Sequence, residues 1–118
     1  MSVCIVVCIK RRAGLSEEEF SRHWREVHAP LIRSCEEFSR HLVSYTQHHL
    51  VDRNSPVAKL FGVSGEYDGV AVLEFHSLDA MQQAFAEPAY VERIRPDEPN
   101  FVDLENCISF ISEPFPVI

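Results

Sequence analysis

The stretch KRRAGLSEEEFSRHWREVHAPLI, residues 10–32, carries the clearest structural pattern in this chain. Ser16 is followed three residues later by Glu19, which is the pattern of a capping box, where each side chain bonds the other residue's backbone N–H at a helix start. Consecutive glutamates after Ser16 also suit the positive end of a helix dipole. The stretch therefore predicts the exit from a strand and then a long helix over residues 17–38.

Apolar side chains along this helix predict its buried face. They recur at helical spacing as Phe20, Trp24, Val27 and Leu31. His28 follows Trp24 at the edge of that face, whereas His23 falls on the opposite flank, because residues five apart are roughly 140° apart around an α-helix. Pro30 lacks a backbone donor, so the helix is expected to kink or stop near Ala29.

His28 has two interpretations at this point. A histidine beside a kink and facing inward is well placed to meet a ligand. A histidine at the edge of a core can also bond a carbonyl that the proline leaves free. Residue type alone favours the second, structural role.

The motifs around this helix resemble the EthD family. The resemblance rests on residues 10–16, on Glu19, Phe20, His23, Trp24 and residues 27–31, and on the later groups Tyr45-Thr46-Gln47 with His49, Tyr67-Asp68-Gly69-Val70-Ala71, and Pro96-Asp97-Glu98 with Phe101 and Asp103. It covers most of the chain and implies a ferredoxin-like α+β fold that pairs into a dimeric α+β barrel. The later groups are similar to small fungal members associated with aromatic polyketide pathways.

The periodicity of the remaining chain predicts the same fold class. Apolar or alternating runs predict strands over residues 3–9, 41–51, 70–75 and 104–112. A second helix is expected after the cap Ser77, and a short extra helix ends at Ile94. The resulting order is the split βαβ pattern βαββαβ, an antiparallel four-stranded sheet with helices on one face. Residues 1–118 then form a single domain, and the uncovered sheet face predicts a homodimer.

The segments between these elements are rich in turn-forming residues. Proline and glycines over residues 52–66 predict a connection with one short helical turn near 57–61. Residues 96–103 are expected to form a loop with two acidic residues at its start.

Composition limits the function classes. The chain has 118 residues and a net charge of -7, which argues against a nucleic-acid surface. No apolar run is long enough to span a membrane. The cysteines, Cys4, Cys8, Cys35 and Cys107, have no CxxC or zinc spacing. Free thiols in the reducing cytoplasm are therefore expected.

The histidines invite a metal interpretation, which their placement weakens. His23 and His28 are expected to diverge on the helix. His48 and His49 are neighbours on a strand and face opposite sides of it. We therefore expect no metal and no cofactor, which leaves an acid–base site, because histidine exchanges protons near neutral pH.

The resemblance places the family's strand histidine at His49, although His48 stands where the family usually has an aromatic residue. Tyr45 lies on the same strand face as His49, where its phenol could bond a carbonyl or phenolate oxygen. A barrel-wall aromatic is the alternative role for Tyr45. The residues expected to be catalytic are His28, His49 and Tyr45.

Other residues are expected to bind the substrate. Phe20 and Trp24 would stack on a flat aromatic ring, with plain core packing as the alternative. Asp68 and Asp97 match family motifs, with turn-stabilising or loop-closing as their default roles. The expected substrate contacts are Phe20, Trp24, His48, Asp68 and Asp97.

The resemblance implies a homodimeric enzyme that acts without a cofactor on an aromatic polyketide or phenolic acid. The reaction would be a decarboxylation, a dehydration or an aldol-type cyclisation, and the partners would include a small aromatic molecule but no nucleic acid or membrane. Two other classes stay open. One is a cofactor-free anthrone-type monooxygenase, since related barrels oxidise anthrones with molecular oxygen, and the other is a non-catalytic accessory or binding protein.

Overall fold

The computed structural model describes residues 2–62 and 65–118. Within them, a four-stranded antiparallel sheet has the strand order β2-β3-β1-β4. Its strands are β1 (Val3–Ile9), β2 (Leu42–His49), β3 (Gly69–Phe75) and β4 (Ile108–Ser112). This sheet, together with the helices that connect its strands, confirms the α+β ferredoxin-like fold predicted from the sequence.

The helices pack on one face of the sheet. The α-helices of the described chain are α1 (Glu17–His23), α2 (Ala29–Ser34), α3 (Glu36–Ser39), α4 (Pro56–Lys59) and α5 (Leu78–Ala86). Wide π turns lie at Trp24–His28 and Tyr90–Ile94, and 3-10 helices lie at Arg95–Asn100 and Leu104–Asn106. None of these helices is both long and apolar enough to cross a membrane.

The predicted capping box starts α1. The backbone N–H of Glu19 donates to Ser16 Oγ at 3.0 Å, and the Ser16 N–H donates to Glu19 Oε1 at 3.0 Å. This start sets the rotation of the helix, so that Phe20 and Trp24 are both almost completely buried. The sequence prediction is confirmed for this end of the helix.

Of the two outcomes expected near Ala29, a kink or a stop, the stop does not occur. The chain instead forms a π turn, in which the Ala29 N–H reaches back five residues to the Trp24 carbonyl, and then continues as α2 to Ser34. Pro30 cannot donate a hydrogen bond, and its ring crowds the carbonyl of Glu26. A wider turn just before Pro30 relieves this conflict without ending the helix.

The π turn also changes the buried face. Residues on the inner side are Phe20, Trp24, His28 and Ile32, each four after the last, whereas Val27 is 44% exposed. In a regular α-helix, a spacing of four residues would drift by roughly 40° at each step. The wide turn takes up this drift and keeps the series facing the sheet.

Several predicted boundaries shift in the later chain. The last strand starts at Ile108 and not at residue 104, because Leu104–Asn106 forms a 3-10 turn. The expected loop 96–103 is largely helical, since Arg95–Asn100 is a 3-10 helix. The short turn expected near 57–61 is α4, while residues 63 and 64 of the predicted connection lie outside the described residues.

The core lies between the helices and one face of the sheet. Its largest fully buried side chains are Trp24, Phe20, Phe38, Phe75, Phe101, Ile94 and Cys35. Gly69 belongs to this packing, because a Cβ there would come within 2.6 Å of the Trp24 ring. The other face of the sheet is open, and Phe110 on β4 remains 56% exposed.

Candidate active site

A cavity of about 240 Å³ lies between the sheet and the helices. Its walls are mainly apolar and aromatic, and they include Ile5, Val7, Trp24, Ile32, Phe38, Leu73, Phe85, Ile94 and Phe101. A small set of groups gives it polar character: His28, Tyr45, Tyr90, Glu98 and Cys107. An apolar cavity with a few convergent polar groups is the usual form of a small-molecule site.

His28 is held in this cavity by a carboxylate. Its Nδ1 lies 3.0 Å from Asp97 Oδ2, and both residues are buried. Asp97 is ionised and can only accept hydrogen bonds, so neutral His28 carries its proton on Nδ1 and its lone pair on Nε2. Among the described residues, no hydrogen bond involves Nε2, and since no fully buried side-chain nitrogen lacks a partner there, this atom is accessible. The cavity therefore holds an oriented imidazole with a nitrogen free to accept a proton.

His23 bonds the other oxygen of the same carboxylate. Its Nε2 lies 2.8 Å from Asp97 Oδ1. The prediction that His23 and His28 diverge is wrong, because it assumed a regular α-helix between them. The π turn Trp24–His28 brings residues five apart onto one side, so that His23 and His28 share Asp97. Phe101 packs beside both rings, with centroid distances of 4.8 and 5.0 Å.

The pKa values of this group follow from its contacts. Burial lowers the pKa of His28, although Asp97 opposes the shift by stabilising the imidazolium. Burial alone would raise the pKa of Asp97, but hydrogen bonds from both histidines and Asn100 outweigh it and lower that pKa. The pair at neutral pH is thus a neutral imidazole against an ionised carboxylate, which is the state of a general base.

A second titratable group faces the same cavity. Glu98 accepts a hydrogen bond from the Tyr90 hydroxyl at 3.0 Å. Burial raises the pKa of Glu98, despite the opposing hydrogen bond from Tyr90. Burial and the nearby Glu98 also raise the pKa of Tyr90. The sequence indicated Glu98 as a candidate together with Asp97, but it gave no indication of Tyr90, since the second π turn that brings Tyr90 to the cavity has no simple periodic signal.

Tyr45 lines the cavity from β2, as the strand alternation predicted. Its hydroxyl accepts a hydrogen bond from Trp24 Nε1 at 3.3 Å. Burial raises the pKa of Tyr45, so its phenol stays neutral and can donate to a ligand oxygen. Trp24 and Tyr45 therefore form one polar edge on an aromatic wall.

His49 does not line this cavity. Its Nδ1 lies 2.6 Å from Ser21 Oγ, and its Nε2 lies 2.8 Å from Gln47 Oε1. Gln47 in turn donates to the Trp24 carbonyl at 3.0 Å. Both nitrogens of the ring are thus used in a network that fastens β2 to the π turn. His49 faces a separate groove, on the far side of Trp24.

The remaining expected contacts lie away from the cavity. His48 is exposed on the opposite face of the sheet, because adjacent strand residues alternate. Phe20 is fully buried behind Trp24, at a ring centroid distance of 5.6 Å. Asp68 is buried in an ion pair with Arg11 at 2.8 Å and in a second one with Arg53.

The structure thus groups the expected residues in a new way. Of those residues, His28, Tyr45 and Trp24 line the cavity, and Asp97 orients His28 from behind. In the described part of the chain, no group of three or more potential ligands is arranged to hold a metal ion. The arrangement can hold a flat ligand, accept a proton at His28 and donate one from Glu98 or Tyr45.

The chain belongs to the EthD domain family, because the profile of that domain matches residues 12–105. The dehydratase aurZ of Gibberella zeae is 28% identical over 107 residues, which cover 86% of this chain and 69% of that protein. The decarboxylase nsrE of Aspergillus novofumigatus is 23% identical over 116 residues, which cover 90% of this chain and 73% of that protein.

Solved structures share the fold at low identity. An EthD family protein of Bacillus halodurans superposes with a TM-score of 0.69 at 17% identity, over 98% of this chain and all of that one (100%). A dimeric ferredoxin-like protein of Bacteroides fragilis gives 0.67 at 12% identity, over 96% of each chain. SnoaB, a cofactor-independent oxygenase of Streptomyces nogalater, gives 0.60 at 14% identity, over 99% of this chain and 96% of that one.

Proposed function

We propose that this protein is a cofactor-independent acid–base enzyme that removes water from a hydroxylated aromatic polyketide or a related phenolic compound. The observation that carries the proposal is the His28–Asp97 pair at an apolar cavity that also contains Glu98. Burial shifts the pKa of His28 down and that of Glu98 up. Burial thus favours the uncharged form of each group, an imidazole that can accept a proton and a carboxyl that can donate one.

Dehydration uses both groups. His28 Nε2 would remove a proton from the carbon next to a ring carbonyl, while the Tyr45 phenol bonds the oxygen of the developing enolate. The electron pair then expels the β-hydroxyl, which takes a proton from the Glu98 carboxyl and leaves as water. General acid–base catalysis of this kind typically contributes about 10²–10⁴-fold.

Proton return follows the same contacts in reverse. His28 becomes an imidazolium beside Asp97, whose other oxygen is bonded by His23. The side chain of His23 is 25% exposed, so it links the buried carboxylate to solvent. Water exclusion by the aromatic walls would keep the enolate from being protonated too early.

Two relatives also support a reaction in which a small molecule is lost. The dehydratase aurZ supports loss of water, and the decarboxylase nsrE supports loss of carbon dioxide. Dehydration is preferred because the described residues that line the cavity include no arginine or lysine to receive a carboxylate at the reacting carbon. A structure with the same fold, SnoaB, is described as an oxygenase. The assay therefore has to distinguish oxygenation of an anthrone from loss of water.

The assay can use small synthetic bicyclic compounds that yield the same product by different reactions. 3-Hydroxy-1-tetralone yields 1-naphthol when it loses water, and 1-hydroxy-2-naphthoic acid yields the same naphthol when it loses carbon dioxide. We expect 1-naphthol from the tetralone, in air and under argon alike. Naphthol from the acid alone would establish a decarboxylase, and oxygen uptake with anthrone would establish an oxygenase. Turnover that survives in His28→Gln would contradict the proposed site.

We also propose that the enzyme is a homodimer joined through the open face of its sheet. Apolar residues on this face include Val6, Val70, Val72, Ile108 and Phe110. A neighbour with the same fold is described as dimeric. Light scattering should give twice the chain mass, and Phe110→Glu should shift the protein toward a monomer. Wild-type protein that is monomeric at high concentration would overturn this assembly.

A further inference from the structure

A second concave site lies beside the cavity and has the opposite character. This groove, of about 410 Å³, runs between the π turn with α2 and the edge strand β2. Its lining residues are Arg25, Ala29, Ile32, Arg33, Tyr45, Thr46, Gln47 and His49. We call it the arginine groove.

The charge of the arginine groove contrasts with that of the chain. The protein carries a net charge of -7, yet the described residues that line this groove include two arginines and no carboxylate. Within the described residues, neither Arg25 nor Arg33 forms an ion pair, whereas Arg11, Arg22 and Arg40 all do. Two unneutralised guanidinium groups beside one groove are suited to bind an anion, and arginine matches carboxylates in bidentate fashion.

His49 supports this interpretation without supplying charge. Burial and the positive charge of Arg25 both lower the pKa of His49. Its ring nitrogens are already bonded to Ser21 and Gln47. The positive potential of the groove therefore comes from Arg25 and Arg33, and His49 forms a fixed neutral wall.

The arginine groove and the cavity share a border. Tyr45 and Ile32 line both of them. A ligand whose ring lies in the cavity would therefore enter the arginine groove with any substituent that extends past the edge formed by Tyr45. Among the described residues that line the cavity, Glu98 is the one carboxylate and no arginine or lysine is present, so an acidic substituent would be directed outward.

We propose that the arginine groove binds the carboxylate of the substrate whose ring occupies the cavity. The preferred substrate is then an aromatic carboxylic acid, which retains this carboxylate while water is lost at the His28 end. This inference rests on the proposed function, because it takes the cavity as the site of the ring.

The single tryptophan of the chain makes this testable. Trp24 lines the cavity, and its indole N–H bonds Tyr45, so a lone indole signal in a ¹⁵N-correlated spectrum reports on ring binding. The probes are 3-hydroxy-2-naphthoic acid and 2-naphthol, which differ in the carboxylate. We expect both to shift the indole signal and the acid to bind about tenfold more tightly, as charge-assisted hydrogen bonds allow.

The variants separate the groove from the cavity. Arg25→Gln with Arg33→Gln should abolish the tenfold preference and leave the affinity for 2-naphthol unchanged. The matched control is Arg12→Gln with Arg22→Gln, which removes the same charge outside the groove and should keep the preference. Both pairs are exposed, so the free proteins should show an unchanged indole signal.

The remaining outcomes would overturn either the carboxylate site in the groove or the proposed function of the cavity. Equal affinity of the two probes, or a preference that persists in the Arg25/Arg33 variant, overturns the carboxylate site and leaves the cavity intact. If neither probe shifts the Trp24 signal, both the carboxylate site and the proposed function are overturned. Inorganic phosphate should bind weakly, and phosphate binding as tight as that of the naphthoate would show a free anion site and overturn the inference.

Discussion

The cavity and the arginine groove lie on two sides of Tyr45, and the histidine that lines each one differs in the hydrogen bonds of its ring nitrogens. His28 has one nitrogen on Asp97 and the other free among apolar walls. His49 has both nitrogens occupied by Ser21 and Gln47. Residue type and location near a pocket therefore do not define the chemistry of a histidine. What defines it is which nitrogen the surrounding residues leave unpaired.

The largest effect that would test this comparison is the exchange of either histidine for glutamine. His28→Gln should lower kcat/KM by about 10²–10⁴-fold, the range of general acid–base catalysis, because glutamine cannot take up the proton. His49→Gln should lower it only a few-fold, since its ring holds β2 to the helix through Ser21 and Gln47 and does not line the cavity. Steady-state rates of naphthol formation measure both. Equal losses in the two variants would place chemistry on both sides of Tyr45.

The next effect concerns the acid in the cavity. Glu98→Gln should lower kcat by about a hundredfold, within the range expected for loss of a proton donor. Because burial raises the pKa of Glu98, the wild-type rate should fall on the alkaline side as this carboxyl ionises. That limb should be missing in the variant. The exposed Glu105→Gln is the matched control and should keep both rate and profile.

A smaller effect is expected at Asp97, which acts through His28. Asp97→Asn should lower kcat by about tenfold or more, because an amide does not fix the His28 tautomer. The neutral form of His28 is the active base, so the rate falls as pH drops through its pKa. Asp97 raises the pKa of His28, so the acid limb should move to lower pH in the variant. A limb that stays in place would show that another group titrates there.

The smallest effect on activity concerns the wall between the two regions. Gly69→Ala would place a Cβ 2.6 Å from the Trp24 ring and 3.1 Å from the His48 carbonyl. Such overpacking typically costs about 1–3 kcal/mol of folding stability, and the displaced indole should weaken ring binding a few-fold. Chemical denaturation measures the first and the Trp24 signal the second. Gly65→Ala, whose Cβ meets nothing within 4 Å, is the control; a Gly69→Ala protein as stable as wild type would contradict the contact.

The sequence predicted the sheet and the start of the long helix well, because both depend on local patterns. The strand runs, the Ser16 cap and the inward Trp24 could be recognised from spacing alone. Tyr45 was also placed on the correct strand face, since alternation in a strand fixes that side.

The chemistry was less predictable, because it depends on two π turns. In a regular α-helix of 3.6 residues per turn, His23 and His28 lie on different sides, and no spacing rule predicts that Asp97 bonds both of them. Tyr90 lies on the second π turn and Glu98 on the 3-10 helix that follows it, and this turn also lies shortly before a proline, Pro96. Both π turns end at a buried residue two positions before a proline, His28 before Pro30 and Ile94 before Pro96, and this spacing is a signal that could have indicated them.

The wide turn at Trp24–His28 amounts to one extra residue inserted in a helix. A chain that lost one residue there could close into an ordinary α-helix with every backbone bond made. The two histidines would then be four apart in a regular α-helix, about 40° from each other, and would still share one face. The π turn thus lets a spacing of five residues do what a spacing of four does in an ordinary helix, and the extra residue is absorbed without moving either histidine away from Asp97.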